Sequence, residues 1–238
     1  MIKLITKTAF LTLFVCCLTL IAKAQLGYNF SQYDIGTAVG FNTVHGNPET
    51  TTSTQSIHFN LTYNATPYTN FVFEAQLGKL KGGDSLKTKS GMQFNNDFSS
   101  FLLRGQIQAG ELIDYSNNRL YNALKNLYIS AGFGFVVNRI TSISRYSHQV
   151  PGFFTDGQNN SQEPFIPLRI GYEFKLFNKY NQPSFKVDLG YGYNYVLGDE
   201  LDGFSTGNGH HDAYSQFTLG VKFAVGGATT SYRKQIQY

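Results

Sequence analysis

The sequence predicts an all-β chain: an eight-stranded antiparallel transmembrane up-and-down β-barrel with long extracellular loops. Three observations carry that prediction. Only 14% of residues are charged, well below the ~25% of ordinary soluble domains, while 16% are aromatic, with 21 Phe, 16 Tyr and no Trp. Eight segments alternate apolar residues with polar residues or glycine, the period of a strand with two unlike faces. Beyond the first 24 residues no long unbroken apolar run occurs, so a membrane crossing has to be made by strands rather than helices.

Residues 1–24 read as a signal peptide. Lys3 and Lys7 precede an apolar stretch from Ala9 to Ala22, and Ala22-Lys23-Ala24 supplies small residues for cleavage before Gln25. Removal takes three basic residues and no acidic one, leaving 16 basic against 15 acidic, a formal charge of +1 instead of +4. Such a balance argues against a nucleic-acid partner, which calls for a basic face. Both cysteines, Cys16 and Cys17, leave with the same segment. Disulfides, thiol catalysis and cysteine-based metal sites are therefore not expected in the exported chain. The barrel domain is expected over 25–238, with its last strand at about 214–225 and a short tail at 226–238.

Taken in order, the first strand sets Ile35, Thr37, Val39 and Phe41 against Asp34, Gly36, Ala38, Gly40 and Asn42. The second sets Ile57, Phe59, Leu61 and Tyr63 against Ser56, His58, Asn60 and Thr62. In the third, Phe71, Phe73, Ala75 and Leu77 oppose Val72, Glu74, Gln76 and Gly78. The fourth opposes Phe101, Leu103, Ile107 and Ala109 to Leu102, Arg104, Gln106 and Gln108. Strands over 127–138, 166–175, 185–195 and 216–225 repeat the pattern. Each is close to the ~9–11 residues that cross a bilayer at a tilt, and an even number closes a single-chain barrel. Long polar gaps at 43–55, 80–98, 139–165 and 198–214 alternate with short ones at 64–70 and 177–184, as outer loops alternate with inner turns. The inner gap at 110–126 is long for a turn, and Leu120, Tyr121 and Leu124 have the spacing of a short amphipathic helix there.

Alternation alone does not say which face points inward. A soluble lipocalin-like barrel would put the apolar set inside. Glycine decides the matter: Gly36, Gly40, Gly78, Gly132, Gly134, Gly171, Gly190, Gly192 and Gly220 all lie on the polar face, and among apolar positions there is only Gly105. Glycine makes room where eight strands enclose a narrow space and gains nothing on an exposed surface. The apolar face ends in aromatics, with Tyr63, Phe71, Phe174 and Phe185 toward one rim and Tyr193, Tyr195 and Phe217 toward the other, the girdle positions of a barrel in lipid. The polar face is therefore expected inside. It brings Asp34, Glu74, Glu173 and Asp188 together with Arg104, Arg169, Lys175, Lys186 and Lys222. Buried charges of both signs should pair, which favours a charged plug over an open channel.

The chain resembles the small OmpA/OmpX-like transmembrane barrels of Gram-negative outer membranes, a group described as outer-membrane β-barrel or porin-family proteins. The resemblance spans 25 to about 226. Its most specific piece is Thr218-Leu219-Gly220-Val221-Lys222-Phe223-Ala224-Val225, similar to a last-strand assembly signal in which Thr218, Gly220, Phe223 and Val225 hold the polar, glycine, aromatic and apolar positions. The resemblance implies an outer-membrane location, contact with outer-membrane lipid, and the barrel-insertion machinery as a partner. Here the signal is followed by a tail ending in Tyr238, so Phe223 and Tyr238 both stand as the aromatic that is read.

Catalytic, cofactor and metal residues are not expected. His210-His211-Asp212 in the last outer loop reads as solvated, since adjacent histidines rarely face one ion. His58 is expected to hydrogen-bond inside the barrel, to a neighbour such as Asn60. His148, His211 and Ser215 have the residue types that an outer-leaflet lipid A-modifying enzyme uses, but nothing in their spacing supports that role. The expectation is a non-enzymatic barrel with a plugged interior, serving envelope integrity, adhesion or surface recognition through the loops around Val44, Ser90, Phe153 and Asp202. The competing expectations are that enzyme, a narrow solute channel, or a soluble ligand-binding barrel.

Overall fold

The computed structural model describes residues 27–233 except 87, 89, 117, 148–151, 153, 180–181 and 206–210. The proposed signal segment, His148, Phe153, His210 and Tyr238 lie outside the described residues. Eight long strands make the barrel: β1 (Gly27–His45), β2 (Thr54–Asn64), β3 (Thr69–Gly83), β4 (Gln93–Gln108), β5 (Leu127–Ser144), β6 (Asn160–Phe177), β7 (Pro183–Val196) and β8 (Ala213–Arg233). Every neighbouring pair is antiparallel, and β1 pairs with both β2 and β8, which closes the ring. A two-residue strand, Thr51–Thr52, adds to the end of β3. The long connections lie at the outer end.

The faces are as the glycines indicate. Ile35, Phe59, Phe73, Leu103, Phe135, Ile170 and Leu219 are exposed around the girth, and their alternate neighbours are buried. Side chains must fit a narrow lumen, and two glycines show how little space there is. A Cβ on Gly132 would lie 2.0 Å from the Leu103 carbonyl oxygen and 2.6 Å from Arg104 Cα. On Gly171 it would lie 2.4 Å from the Leu189 carbonyl oxygen and 2.5 Å from the Tyr128 hydroxyl. A Cβ on lipid-facing Gly105 meets nothing within 4 Å. Accordingly, Gly171→Ala is expected to destabilise the barrel by about 1–3 kcal/mol through overpacking, whereas Gly105→Ala changes stability by no more than about 0.5 kcal/mol. Urea unfolding in vesicles reads both.

The strands run further at the outer end than the sequence pattern indicates, because the alternation inverts there. Up to Leu77 on β3 the outward residues are apolar; beyond it Lys79 and Lys81 point outward while Leu80 is buried. On β4 the outer residues Phe94 and Phe98 point inward, and on β5 so does Ile140, while Arg139 is exposed. Above the lipid the exterior meets water, so the apolar face turns in. Val44, Leu80, Phe94, Phe98, Leu102, Val136, Ile140, Phe165, Val196 and Tyr214 form an apolar core that starts at the level of the lipid-facing belt, at Leu102, Val136 and Phe165, and continues into this extension. The long gaps expected at 43–55, 80–98 and 139–165 are thus partly strand. A second extension lies at the inner end. The last strand continues past the expected end at 225 to Arg233, pairing with Gly27–Ser31 across a register shift. Gly226, at φ +89°, makes the bend, and Ser31 Oγ donates to the Val225 carbonyl at 3.1 Å.

The inner connections include a tight turn at 65–68 and a short link between Phe177 and Pro183, where the Asn178 amide donates to the Gln182 carbonyl at 2.8 Å. The connection between β4 and β5 holds two short helices, α1 (Ala109–Leu112) and α2 (Arg119–Leu124). Asn118 caps α2, its Oδ1 accepting from the Leu120 and Tyr121 amides at 2.9 and 3.4 Å. No helix among the described residues is long and apolar enough to cross a membrane.

Candidate functional site

The interior is built in layers from inward positions of the strands. At the inner end Phe30, Tyr68 and Tyr115 pack together, with Tyr68 and Tyr115 edge to face at 5.6 Å. Lys175 Nζ sits 4.7 Å from the Tyr68 ring centroid and donates to Pro67 O and Gln108 Oε1, each at 2.6 Å. Lys125, in the inner connection, lies 5.0 Å from the Tyr115 ring, and burial lowers its ammonium to about 8.

Above this layer runs a chain of ion pairs. Lys186 reaches Asp34 at 2.6 Å and Glu173 at 3.8 Å; Lys222 bridges Glu173 at 2.8 Å and Asp188 at 2.6 Å. Lys175 lies 3.9 Å from Glu173. The Tyr128 hydroxyl donates to Asp188 at 2.7 Å, which spares that carboxylate an unmet lone pair. Next comes a hub on Glu74. Arg104 and Arg169 each donate to it at 3.1 Å, His58 Nδ1 lies 3.0 Å from Oε1, and Gln76 donates at 2.7 Å. All nine interior charges named from the sequence are buried, and each belongs to an ion pair. His58 departs from its expected neighbour. Its ring joins Ser56 at 2.8 Å and Glu74, not Asn60, because Glu74 on β3 lies diagonally across from it.

The layer above is neutral. Gln216 donates to Gln76 at 3.0 Å, and Ser56 donates to Asn42 at 3.0 Å. The apolar core follows, completed by Leu201 and Phe204 from the last outer connection, both fully buried. No period marks these two in the sequence, so their inward turn was not legible there. Phe204 meets Phe94 edge to face at 6.4 Å.

Between them, Asp202 is fully buried, as is Asp212 at the foot of β8. Asp202 accepts from the Asn47 and Phe204 amides at 2.9 and 3.0 Å, and Asp212 from the Leu201 amide at 3.0 Å. A Cβ on Gly46 would lie 2.7 Å from Asp202 Oδ2 and 2.8 Å from Asp212 Oδ1, so both carboxyl groups close on one small residue. Burial above all raises Asp202 to about 7 and Asp212 to about 8; Asp199 and Glu200 add to the first, Asp202 and Asp199 to the second. The connection is held from its other side by Arg145, which donates to Gly203 O at 2.9 Å, and by Glu200, which accepts from the Gln158 amide at 2.7 Å.

These positions alter the expected recognition loops. Val44 and Asp202 are buried, and half-buried Ser90 donates its amide to Glu49 at 2.9 Å. The outward surface of this end is carried instead by residues such as Lys79, Lys81, Thr141 and Arg139. His211 lies against the Tyr195 ring at 5.4 Å, while Ser215, buried near the outer rim, has its Oγ 3.0 Å from Nε2 of His45. Among the described residues no group of three or more His, Cys, Asp or Glu could hold a metal ion. In the segment resembling an assembly signal, Thr218 and Gly220 face inward, with Thr218 donating to Gly190 O at 3.2 Å. Phe223 faces lipid, 53% exposed, and packs on Phe185 at 5.1 Å. Val225 is half-buried on the same side.

No family model and no curated protein matches the chain. Several solved structures align with it. Neisserial surface protein A is 12% identical, with a TM-score of 0.45, over 82% of this chain and 98% of that one. Ail, the attachment invasion locus protein of Yersinia pestis, is 10% identical, with a TM-score of 0.42, over 81% and 97%. CarO of Acinetobacter baumannii is 15% identical, with a TM-score of 0.36, over 79% and 97%. The eight-stranded antiparallel barrel is a property of this chain's own strand pairing.

Proposed function

We propose that the protein is a non-enzymatic, non-conducting barrel of a Gram-negative outer membrane that serves as a rigid support for a polar surface outside the cell. The observation that carries this reading is the occupied lumen: paired charges and amide side chains through the lipid zone, then an apolar core capped by Leu201 and Phe204. A lumen filled in this way favours rigidity over passage, and the strand extension lifts polar residues clear of the lipid. Envelope integrity, adhesion and surface recognition all fit that design. Outer-membrane lipid and the insertion machinery, reading lipid-facing Phe223, are the partners it calls for.

The test compares cells lacking the protein with cells carrying a chain whose outer connections at 84–92 and 145–159 are replaced by Gly-Ser linkers. Surface recognition is expected to lose attachment in both and to lose detergent resistance only in the first. Unchanged attachment and resistance in cells lacking the protein would overturn the reading.

One observation favours a second reading. Ser215 and His45 stand at hydrogen-bond distance near the outer leaflet, the first two members a lipid hydrolase needs. On the primary reading Ser215→Ala and His45→Ala leave lipid A acylation unchanged by mass spectrometry; an altered acyl pattern would establish the second.

A further inference from the structure

Helix α2 is oriented in reverse. A helix on a water-soluble surface turns its polar side out, yet α2 exposes Leu120 (62%), Tyr121 (45%) and Leu124 (37%) while Asn122 is buried at 5%. Leu112, at the end of α1, is 76% exposed. This side is not an accident of a loose loop. Asn118 fixes the start of the helix, the Lys125 carbonyl accepts from the Gly110 amide at 2.7 Å, and the Asn126 carbonyl accepts from the Glu173 amide at 3.1 Å. The Tyr172 hydroxyl donates to Ala123 O at 2.6 Å.

That last bond settles where the helix sits. Tyr172 is on the outward face of β6, paired in register with Leu127, and its ring packs on Phe174 at 4.6 Å. Leu127 continues upward into exposed Ile129. The apolar side of α2 is therefore continuous with the lipid-facing belt at its inner edge. It is not a lid turned into the lumen. Arg119, exposed at the first turn, puts a cation next to that side.

We propose that α2 lies in the inner headgroup layer of the membrane and binds phospholipid: its leucines enter the upper acyl region, Tyr121 sits at the interface, and Arg119 meets headgroup phosphates. Continuity with the belt selects lipid as the occupant, because a surface that borders acyl chains on one edge is bathed in the same solvent. An interfacial amphipathic helix with an aromatic and a basic residue has this form. Fixed to the strand ends, it sets the depth of the barrel and resists sliding along the membrane normal.

The chain has no tryptophan, so one introduced indole reports alone. The full chain carrying L120W or L124W is refolded into phosphatidylcholine vesicles brominated on the acyl chain close to the glycerol, and folding is checked by faster migration of unboiled protein. L86W serves as the reference, since Leu86 is 89% exposed in an outer connection. The L120W and L124W indoles are expected to emit to the blue of L86W, to lose most of their intensity to bromolipid and to resist aqueous iodide. Quenching by iodide with no effect of bromolipid, as for L86W, would overturn the proposal. Resistance to both quenchers would overturn it too, by showing a protein surface over the helix. Either variant alone suffices should the other fail to fold.

Discussion

Replacing Glu74 by alanine is expected to cost the folded barrel about 3–5 kcal/mol, the range found when one partner of a buried ion pair is removed. Glu74 is the sole carboxylate contacting Arg104 and Arg169 among the ion pairs of the described residues, and all three are buried. Without it two guanidinium groups remain out of water with no anion in contact, and His58 and Gln76 lose an acceptor. The loss comes from the stranded charges, so its signature is non-additive. Glu74→Met combined with Arg104→Met and Arg169→Met should recover much of what Glu74→Ala loses, since an ion cluster replaced whole is often neutral. Urea unfolding in vesicles measures each midpoint. The exposed pair of Lys79 and Asp97, 3.6 Å apart, sets the contrast. Removing either should change stability by less than about 1 kcal/mol.

The outer mouth is expected to tighten in acid and loosen above neutral pH. Asp202 and Asp212 have folded values raised above the ordinary carboxylate range, to about 7 and about 8, first by burial. The folded state therefore holds protons that the unfolded chain has released. Stability falls with pH wherever the folded state binds more protons. The contribution is full below the ordinary carboxylate value near ~4 and is lost as pH rises to about 8, at ~1.4 kcal/mol for each unit of displacement. Asp199, Glu200 and Glu163 face the pair and add like charge. Hydrogen exchange of the Leu201 and Phe204 amides, which donate to these carboxyl groups, should show more protection at pH 5 than at pH 8 after correction for intrinsic rates. Asp212→Asn keeps an acceptor for Leu201, removes the charge, and should flatten that dependence. A mouth equally protected at both pH values would show that the pair does not titrate in this range.

Strand period made most of the barrel legible, because it assigns a face to every residue without knowledge of its neighbours. Asp34, Glu74 and Lys222 point inward for that reason alone. Pairing between strands was not legible: His58 meets Glu74 through a diagonal set by register, which no single strand records. The outer extension was hidden by the inversion between Leu77 and Lys79. There the solvent outside changes from lipid to water, and a test that follows one apolar face stops where that face turns inward. Leu201, Phe204 and Asp202 belong to a connection with no period at all. Leu120, Tyr121 and Leu124 did carry the spacing of a helix, but spacing does not tell which way its apolar side turns.

The most direct test of a filled, non-conducting barrel is single-channel recording of the refolded full chain in a planar bilayer, with folding verified by faster gel migration of unboiled protein. No steady conductance steps are expected at either polarity. Steady openings of a defined size would contradict it, since ions would then be crossing the layers formed by Glu173, Glu74 and Phe204.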